Sequence, residues 1–346
     1  MITKNEEKYL EQCLNSVKEI ADEIIVVDTG SKDKTKEIAK KFNAKIFDFK
    51  WIDDFSAARN ESLNHATKDW ILVLDADEVI EKKDLETLKN SIRIFGAQKI
   101  SNKFSSEIKN IAENPEDFAG FQFEQRSYIN NFFESAVKNN SDFEPVKNYQ
   151  FYIPHFLCRL FKNNLGLKFR HRVHELVEDS ITEKGLKYKR TNVVLHHFGS
   201  VKDEKLIAEK TGQYSNIILK QIEENPSSAR YNYQAGRMYL GRNDFGNALK
   251  YFEKAAKIDP KYKLVFSEIA KIYLEMNDKN RAIEYFKKSM KNNADNPSPA
   301  NNLAVVYMST GKFKQAKEIL EEQLKKHPDN KALEYNYEMC LKNLGE

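Results

Sequence analysis

A chain of 346 residues is long enough for about two globular domains. Its composition, 40% hydrophobic and 31% charged, suits packed cores and excludes both a membrane-embedded and a disordered protein. Fifty-six Lys and Arg against 52 Asp and Glu leave a net charge of +4, without the basic excess that counterion release favours, so no specific nucleic-acid binding is expected. Cys13, Cys158 and Cys340 are odd in number, lie far apart and form no CxxC pair. That spacing points to a reducing compartment and away from disulfides or structural zinc. No apolar run reaches the roughly 18 residues of a membrane-spanning helix, and the N-terminus lacks a signal-peptide core. No transmembrane segment and a cytoplasmic location are therefore expected.

Residues 6–21 place Leu10, Cys13, Leu14, Val17 and Ile20 on one helical face. Ile24 to Val27 is a β-branched run that reads as a strand buried on both faces, ending at Asp28-Thr29-Gly30-Ser31. A second helix follows over 33–43, then a second strand from Ala44 to Phe49. Ser56 is expected to cap a helix running to Ala66. Trp70 to Leu74 is a third strand, ending in Asp75-Ala76-Asp77-Glu78. This alternation predicts a largely parallel sheet covered on both sides, with ligands beyond the carboxyl ends of its strands. Asp28, Asp75 and Asp77 fall at such ends, although turn chemistry also explains Asp28. Asp75 and Asp77, separated by one residue, suit Mg²⁺ or Mn²⁺ with a substrate diphosphate completing the octahedron; an Asp-rich turn would use the same letters.

Phe121 to Ile129 reads as a strand within an otherwise polar, Asn-rich stretch over 96–150. In Arg172-Val173-His174-Glu175, an HExxH metalloprotease is ruled out because position 178 is Glu. Val193 to Leu195 is another short strand, followed by His196 and His197. One of this pair faces the core, because strand neighbours point to opposite faces.

The last third repeats with a period of 34. Gly236, Tyr239, Ala248, Phe252, Ala255 and Pro260 are followed by Ala270, Tyr273, Ala282, Phe286 and Ser289, then by Ala304, Tyr307, Ala316, Leu320, Gln323 and Pro328. Small residues recur where two helices approach, aromatics fill the gap, and proline stops the second helix. The pattern resembles the tetratricopeptide repeat, with units at 229–262, 263–296 and 297–330 and a closing helix over 331–346. Such arrays hold a peptide or protein in a concave groove, or serve as packing scaffold or dimer interface. A peptide or protein acceptor and a possible homodimer are the corresponding expectations.

The segments ITKNEEKYLEQCLNSV, EIIVVDTGSKDKT, DFSAARNESLNHATKDWILVLDADE and RLFKNN…RVHELVE resemble successive blocks of family 2 glycosyltransferases. The resemblance implies an α/β GT-A fold, the Rossmann-like nucleotide-diphospho-sugar transferase architecture, over residues 1–200. A helical linker would follow at 201–228, then the all-α tetratricopeptide solenoid over 229–346. It further implies inverting transfer from a nucleotide-sugar donor, a UDP-linked hexose, to a peptide, protein or glycan acceptor, assisted by Mn²⁺ or Mg²⁺. By the same resemblance Thr3 and Asn5 lie beside the nucleotide, Asp28 accepts from its base, and Arg59 reaches the base or diphosphate. Asp77 is the principal metal ligand, with Asp75 near the ribose or metal and His197 joining the metal. Glu175 is the base, oriented by His174, and the stretch over 96–150 shapes the acceptor side. The family has a full apolar strand before the TKNEE block; here the first strand is expected to be truncated or unusually short. The alternative is a non-catalytic tetratricopeptide adaptor with a degenerate transferase domain.

Overall fold

The structure, a computed structural model, describes residues 1–96, 117–130, 136–199 and 204–345. The chain divides into two units, Met1–Tyr214 and Ser215–Glu346. The stretch expected to shape the acceptor side and the expected linker thus lie partly outside the described residues.

In the first unit, β1 (Ile2–Thr3), β2 (Ile25–Asp28) and β3 (Lys45–Asp48) form a parallel sheet in that order. Helices α1 (Leu10–Val17) and α2 (Thr35–Lys41) make the connections. The apolar face of α1 is the one it buries, and it serves two cores. Leu10 and Leu14 pack with Val26, Ile38 and Ala39 of the parallel sheet. Cys13 and Val17 pack with Leu74, Ile80, Phe121 and Leu195 of a second sheet. Burying each such aliphatic side chain contributes about 1.5–3 kcal/mol, so α1 ties the two sheets together. Strand β1 is two residues long, and an apolar cavity of about 360 Å³ is lined by residues of α1, β2 and the strand at 70–72, among them Leu14, Ile25 and Ile71.

The second sheet contains β4 (Trp70–Leu72), β5 (Glu78–Ile80), β6 (Phe118–Ile129), β7 (Val137–Lys138), β8 (Phe151–Lys162) and β9 (Lys187–His197). Its order is β4-β8-β6-β9-β5, with β7 on β8. Among the described residues β6 and β9 run parallel, and the other pairs of this sheet are antiparallel. The expectation of a largely parallel sheet therefore holds for β1–β3 and fails at β4, where Trp70 lies opposite Lys162 on an antiparallel neighbour. Alternation predicts parallel neighbours only when consecutive strands pair; here a strand from much later in the chain lies beside β4.

Helix α3 (Phe55–Asn64) starts from Asp54 and not from Ser56. Asp54 Oδ1 accepts from Ala57 N at 2.9 Å, and Ser56 Oγ, already inside the helix, donates to the same oxygen at 2.7 Å. A carboxylate just outside the first turn reaches an orphan amide that a residue within the turn does not. Helices α4 (Lys82–Gly96), α5 (Glu178–Glu183) and α6 (Glu204–Glu224) complete the elements before the repeats.

The second unit pairs α7 (Ala229–Leu240) with α8 (Phe245–Ile258), α9 (Val265–Glu275) with α10 (Lys279–Asn292), and α11 (Ser298–Met308) with α12 (Phe313–Lys326); α13 (Lys331–Leu344) follows. The 34-residue pattern is the core: Ala248, Phe252, Ala270, Ala282, Phe286, Ala304, Ala316 and Leu320 are all fully buried. A Cβ at Gly236 would lie 2.5–2.8 Å from three ring atoms of Phe252, so α7 and α8 approach as they do only because position 236 is bare. The first two inter-helix turns repeat as well. Asn243 and Asn277 take left-handed φ of 57° and 59°, and the following Asp244 and Asp278 cap the next helix.

Candidate active site

The turn from β4 into β5 holds Asp75, Asp77 and Glu78. It is closed twice: Glu78 N donates to Asp75 O at 3.0 Å, and Asp75 N donates to Glu78 Oε2 at 2.7 Å. From beneath, Cys13 Sγ of α1 donates to Asp75 O at 3.3 Å. The local sequence therefore fixes the acids on a rigid turn where a parallel-sheet helix and an antiparallel strand meet.

Two buried arginines converge on Asp75. Arg59 Nη2 from α3 reaches Oδ1 at 2.5 Å, and Arg159 Nη2 from β8 reaches Oδ2 at 3.1 Å. Arg59 Nε also donates to Glu175 Oε1 at 2.5 Å, and Arg159 Nη2 also donates to Glu78 Oε1 at 2.7 Å. The result is an alternating chain of charge, Glu175–Arg59–Asp75–Arg159–Glu78, with Gln125 of β6 donating to the last carboxylate. Burial alone would raise the Asp75 carboxyl, but Arg59 and Arg159 outweigh it and hold the group well below the usual carboxylate range. Glu78 is pushed up by burial, against the pull of Arg159 and with the charge of Asp75 adding to the rise. Arg59 Nη1, the third nitrogen of its fork, is buried without a hydrogen-bond partner.

Glu175 sits in a short loop pinched by a two-way bridge between Arg170 and Leu176, with N–O distances of 2.9 and 3.2 Å. His171 and His174 take left-handed φ of 74° and 53° to make the loop, a conformation costing an L-residue about 1–2 kcal/mol. Helix α3 grips this loop. Phe55 N donates to Arg172 O at 2.8 Å, and the Asn60 side chain exchanges bonds of 2.8 and 3.0 Å with the Phe169 backbone. Consecutive residues of one helix, Arg59 and Asn60, thus meet Glu175 and anchor its loop.

Asp77 lies opposite the end of β9. Phe198 N donates to Asp77 O at 3.0 Å, and His197 Nε2 stands 3.7 Å from Asp77 Oδ1. His197 Nδ1 is 2.9 Å from Ser127 Oγ, which orients the ring with Nε2 toward the acid. His196 points the other way: it is 2% exposed, bonds Tyr128 Oη through Nδ1, and burial, with Arg126 and Lys83, pushes it down to about 4. A Cβ at Gly199 would stand 2.5 Å from His197 Nε2 and 3.3 Å from Asp77 Oδ2.

At the end of β2, Asp28 is buried and accepts from Gly30 N at 3.0 Å and Ser31 N at 2.9 Å through Oδ1. Its other oxygen is 3.4 Å from Thr3 Oγ1. Asn5, at φ 55°, ties the β1 loop to the β2 loop: its N–H donates to Ser31 Oγ at 2.9 Å and its Oδ1 accepts from Lys32 N at 2.8 Å.

The sequence-predicted residues thus fall into three groups: Thr3, Asn5 and Asp28 beside the parallel sheet; Arg59, Asp75 and Glu175 in one charge chain, with His174 preceding Glu175 in its loop; Asp77 with His197. Both carboxylate oxygens of Asp75 are engaged by arginine, and Arg59 is engaged by two carboxylates. Arg159, Glu78 and Gln125 escaped sequence reasoning. An arginine inside the apolar run Phe156-Leu157-Cys158-Arg159-Leu160-Phe161, and the fourth letter of DADE, were the available signals.

A hard carboxylate oxygen and an imidazole nitrogen make a donor pair that Mn²⁺ accepts readily and Mg²⁺ less so. Among the described residues no group of three or more His, Cys, Asp and Glu could hold a metal by itself. A cation at Asp77 and His197 therefore fits only with further ligands from elsewhere, such as a substrate diphosphate.

An α/β domain with acids at its strand ends, followed by helical repeats, agrees with the two-part organisation expected from the sequence. Residues 1–99 match Glycosyl transferase family 2, and residues 229–262 and 278–335 match the Tetratricopeptide repeat. The chain carries a family 2 domain at its N-terminus and tetratricopeptide repeats at its C-terminus. It is 29% identical over 265 residues to a TPR repeat-containing protein of Synechococcus elongatus, covering 74% of this chain and 55% of that one. It is 26% identical over 258 residues to the SPbeta prophage-derived glycosyltransferase SunS of Bacillus subtilis, covering 74% and 52%. With an uncharacterized glycosyltransferase of Rickettsia bellii it shares 26% identity over 239 residues, covering 66% and 69%. The chain spans about half the length of the first two. Among the described residues no helix is long and apolar enough to cross a membrane.

Proposed function

We propose that this protein is an inverting, metal-assisted glycosyltransferase that moves a sugar from a nucleotide-sugar donor, a UDP-linked hexose, to a peptide, protein or glycan acceptor. The observation that carries the reading is the convergence of Arg59, Asp75, Asp77, Glu175 and His197, from separate segments, on the turn after β4. Inversion requires one base on the face opposite the leaving group. Glu175 takes the acceptor proton as the nucleophile attacks the anomeric carbon, and Arg59, bound to Oε1, fixes the orientation of the carboxylate. His174 shapes the loop that presents it. Asp77 and His197 would hold Mn²⁺ or Mg²⁺, which when bound supplies positive charge to the departing diphosphate. Thr3, Asn5 and Asp28 flank the nucleotide, and Asp28 Oδ2, whose contact with Thr3 is long, accepts from the base.

The tetratricopeptide groove favours a peptide or protein acceptor. A cytoplasmic location and a homodimer complete the proposal, and sedimentation equilibrium tests the latter. The central test is release of nucleoside diphosphate from UDP- and GDP-linked sugars with Mn²⁺ or Mg²⁺. Asp77→Ala and Glu175→Ala are each expected to lower turnover about 100-fold or more. Wild-type rates in both variants would remove the assignment.

A further inference from the structure

Three aromatic rings border the groups to which the proposed reaction assigns chemistry. Tyr214 on α6, the last residue of the first unit, stacks on Phe55 with ring centroids 5.2 Å apart and 19° between planes. It also runs parallel to His174, at 6.3 Å and 6°. Trp51 closes on the Phe55 ring edge-on at 4.7 Å. Phe55 opens the helix that carries Arg59, and His174 adjoins Glu175. Glu175 keeps only 13% of its side chain in solvent, whereas Tyr214 remains 36% exposed. Burial, followed by the negative charges of Glu175 and Asp75, raises the Tyr214 phenol above its ordinary range, and Asp77 adds to the rise against Arg59. Through its stacks on Phe55 and His174, the tyrosine ring adjoins both the helix of Arg59 and the loop of Glu175. His174 takes its left-handed φ within the loop that carries Glu175, and its ring lies parallel to Tyr214.

A base able to take a proton from an acceptor can also take one from water. In that side reaction water oxygen bonds to the anomeric carbon, the bond to the diphosphate oxygen breaks, and the water proton passes to Glu175, giving free sugar and nucleoside diphosphate. Excluding water from the reacting carbon is the known remedy, and apolar ring faces offer water little to bond. We propose that Tyr214 is the water shield of the transfer site: its ring, held against Phe55 and His174, covers the approach to Glu175 until an acceptor takes that place. The inference rests on the transferase reading above.

The test uses the full chain with Mn²⁺ and no acceptor, following nucleoside diphosphate and free sugar released from UDP-glucose, UDP-galactose, UDP-N-acetylglucosamine and GDP-mannose. Tyr214→Ala is expected to raise donor hydrolysis about fivefold or more, and Tyr214→Phe, which keeps the ring, to stay within about twofold of wild type. General loss of structure lowers the rate, so an increase separates shielding from scaffolding. Hydrolysis by Tyr214→Ala at or below the wild-type rate overturns the proposal, as does an equal rise in Tyr214→Phe. A wild-type protein that neither hydrolyses nor binds any of these donors by calorimetry overturns the transferase reading and the shield with it. Donor hydrolysis by the wild type with unaltered rates in both variants overturns the shield alone.

Discussion

Replacing Gly199 by alanine probes the proposed metal pair without substituting either ligand. The new Cβ would lie 2.5 Å from His197 Nε2, 2.6 Å from Cε1 and 3.3 Å from Asp77 Oδ2. Ordinary carbon contacts start near about 3.5 Å, so the imidazole has to retreat by roughly 1 Å. That movement swings Nε2 away from Asp77 and strains the 2.9 Å contact between His197 Nδ1 and Ser127 Oγ. Losing that hydrogen bond costs about 1 kcal/mol, and misorienting a metal-binding imidazole lowers affinity about 10–100-fold. Position 199 is not among the glycines with left-handed φ, so alanine adds no backbone strain and the fold is expected to persist. The assay is Mn²⁺ titration calorimetry with UDP present, on wild type and variant, alongside thermal melts. Mn²⁺ affinity within twofold of wild type would refute the placement of the cation between Asp77 and His197, as would a large fall in melting temperature at unchanged affinity.

Gly236→Ala drives a methyl into the Phe252 ring: overpacking of about 1–3 kcal/mol set against a helix-propensity gain of about 1 kcal/mol. Urea titration is expected to show a net loss, relieved when Phe252→Leu is added. Arg159→Met leaves the fully buried Glu78 without its counter-charge and Asp75 with Arg59 alone, and a loss of about 3–5 kcal/mol is expected. Adding Glu78→Gln is expected to recover part of it in the same denaturation assay. For Asp28, burial is outweighed by hydrogen bonds from Ser31 and Gly30, which hold the folded carboxyl below its ordinary value. The unfolded chain then binds the proton first as pH falls past about 4, so the stability from Asp28 is complete at neutral pH and is lost as pH falls through the folded value. Asp28→Asn is expected to flatten the pH dependence of the melting temperature below that point.

The repeats were legible because their period is local: Phe252, Phe286 and Leu320 recur at a fixed interval in one core, and Phe252 lies against the bare position 236 only one helix away. The strands up to β4 were legible for the same reason, as short β-branched or aromatic runs between turn residues. The pairing partner of β4 was not, because Trp70 and Lys162 meet across a separation that no local pattern encodes. Site residues divide along the same line. Asp75, Asp77 and the histidine pair announce themselves at strand ends, where polar residues interrupt apolar runs. The engagement of Asp75 by Arg59 and Arg159 depends on three segments folding against each other, so sequence reasoning could name Asp75 without finding what holds it. The cap of α3 was missed for a smaller reason, a preference for Ser56 over the carboxylate two residues earlier.

The alternating charge chain also bears on how the first domain assembles. Its members come from positions 59, 75, 78, 159 and 175, so a growing chain that has reached residue 99 holds one buried arginine and two acids but neither Arg159 nor Glu175. In that partial state Glu78 lacks its cation and Arg59 lacks one of its two anions, which makes the closed arrangement unfavourable until the later strands arrive. The segment that carries the family signature is therefore not expected to fold by itself. Truncations ending between residues 99 and 158 are expected to give soluble protein only when the missing segment is supplied.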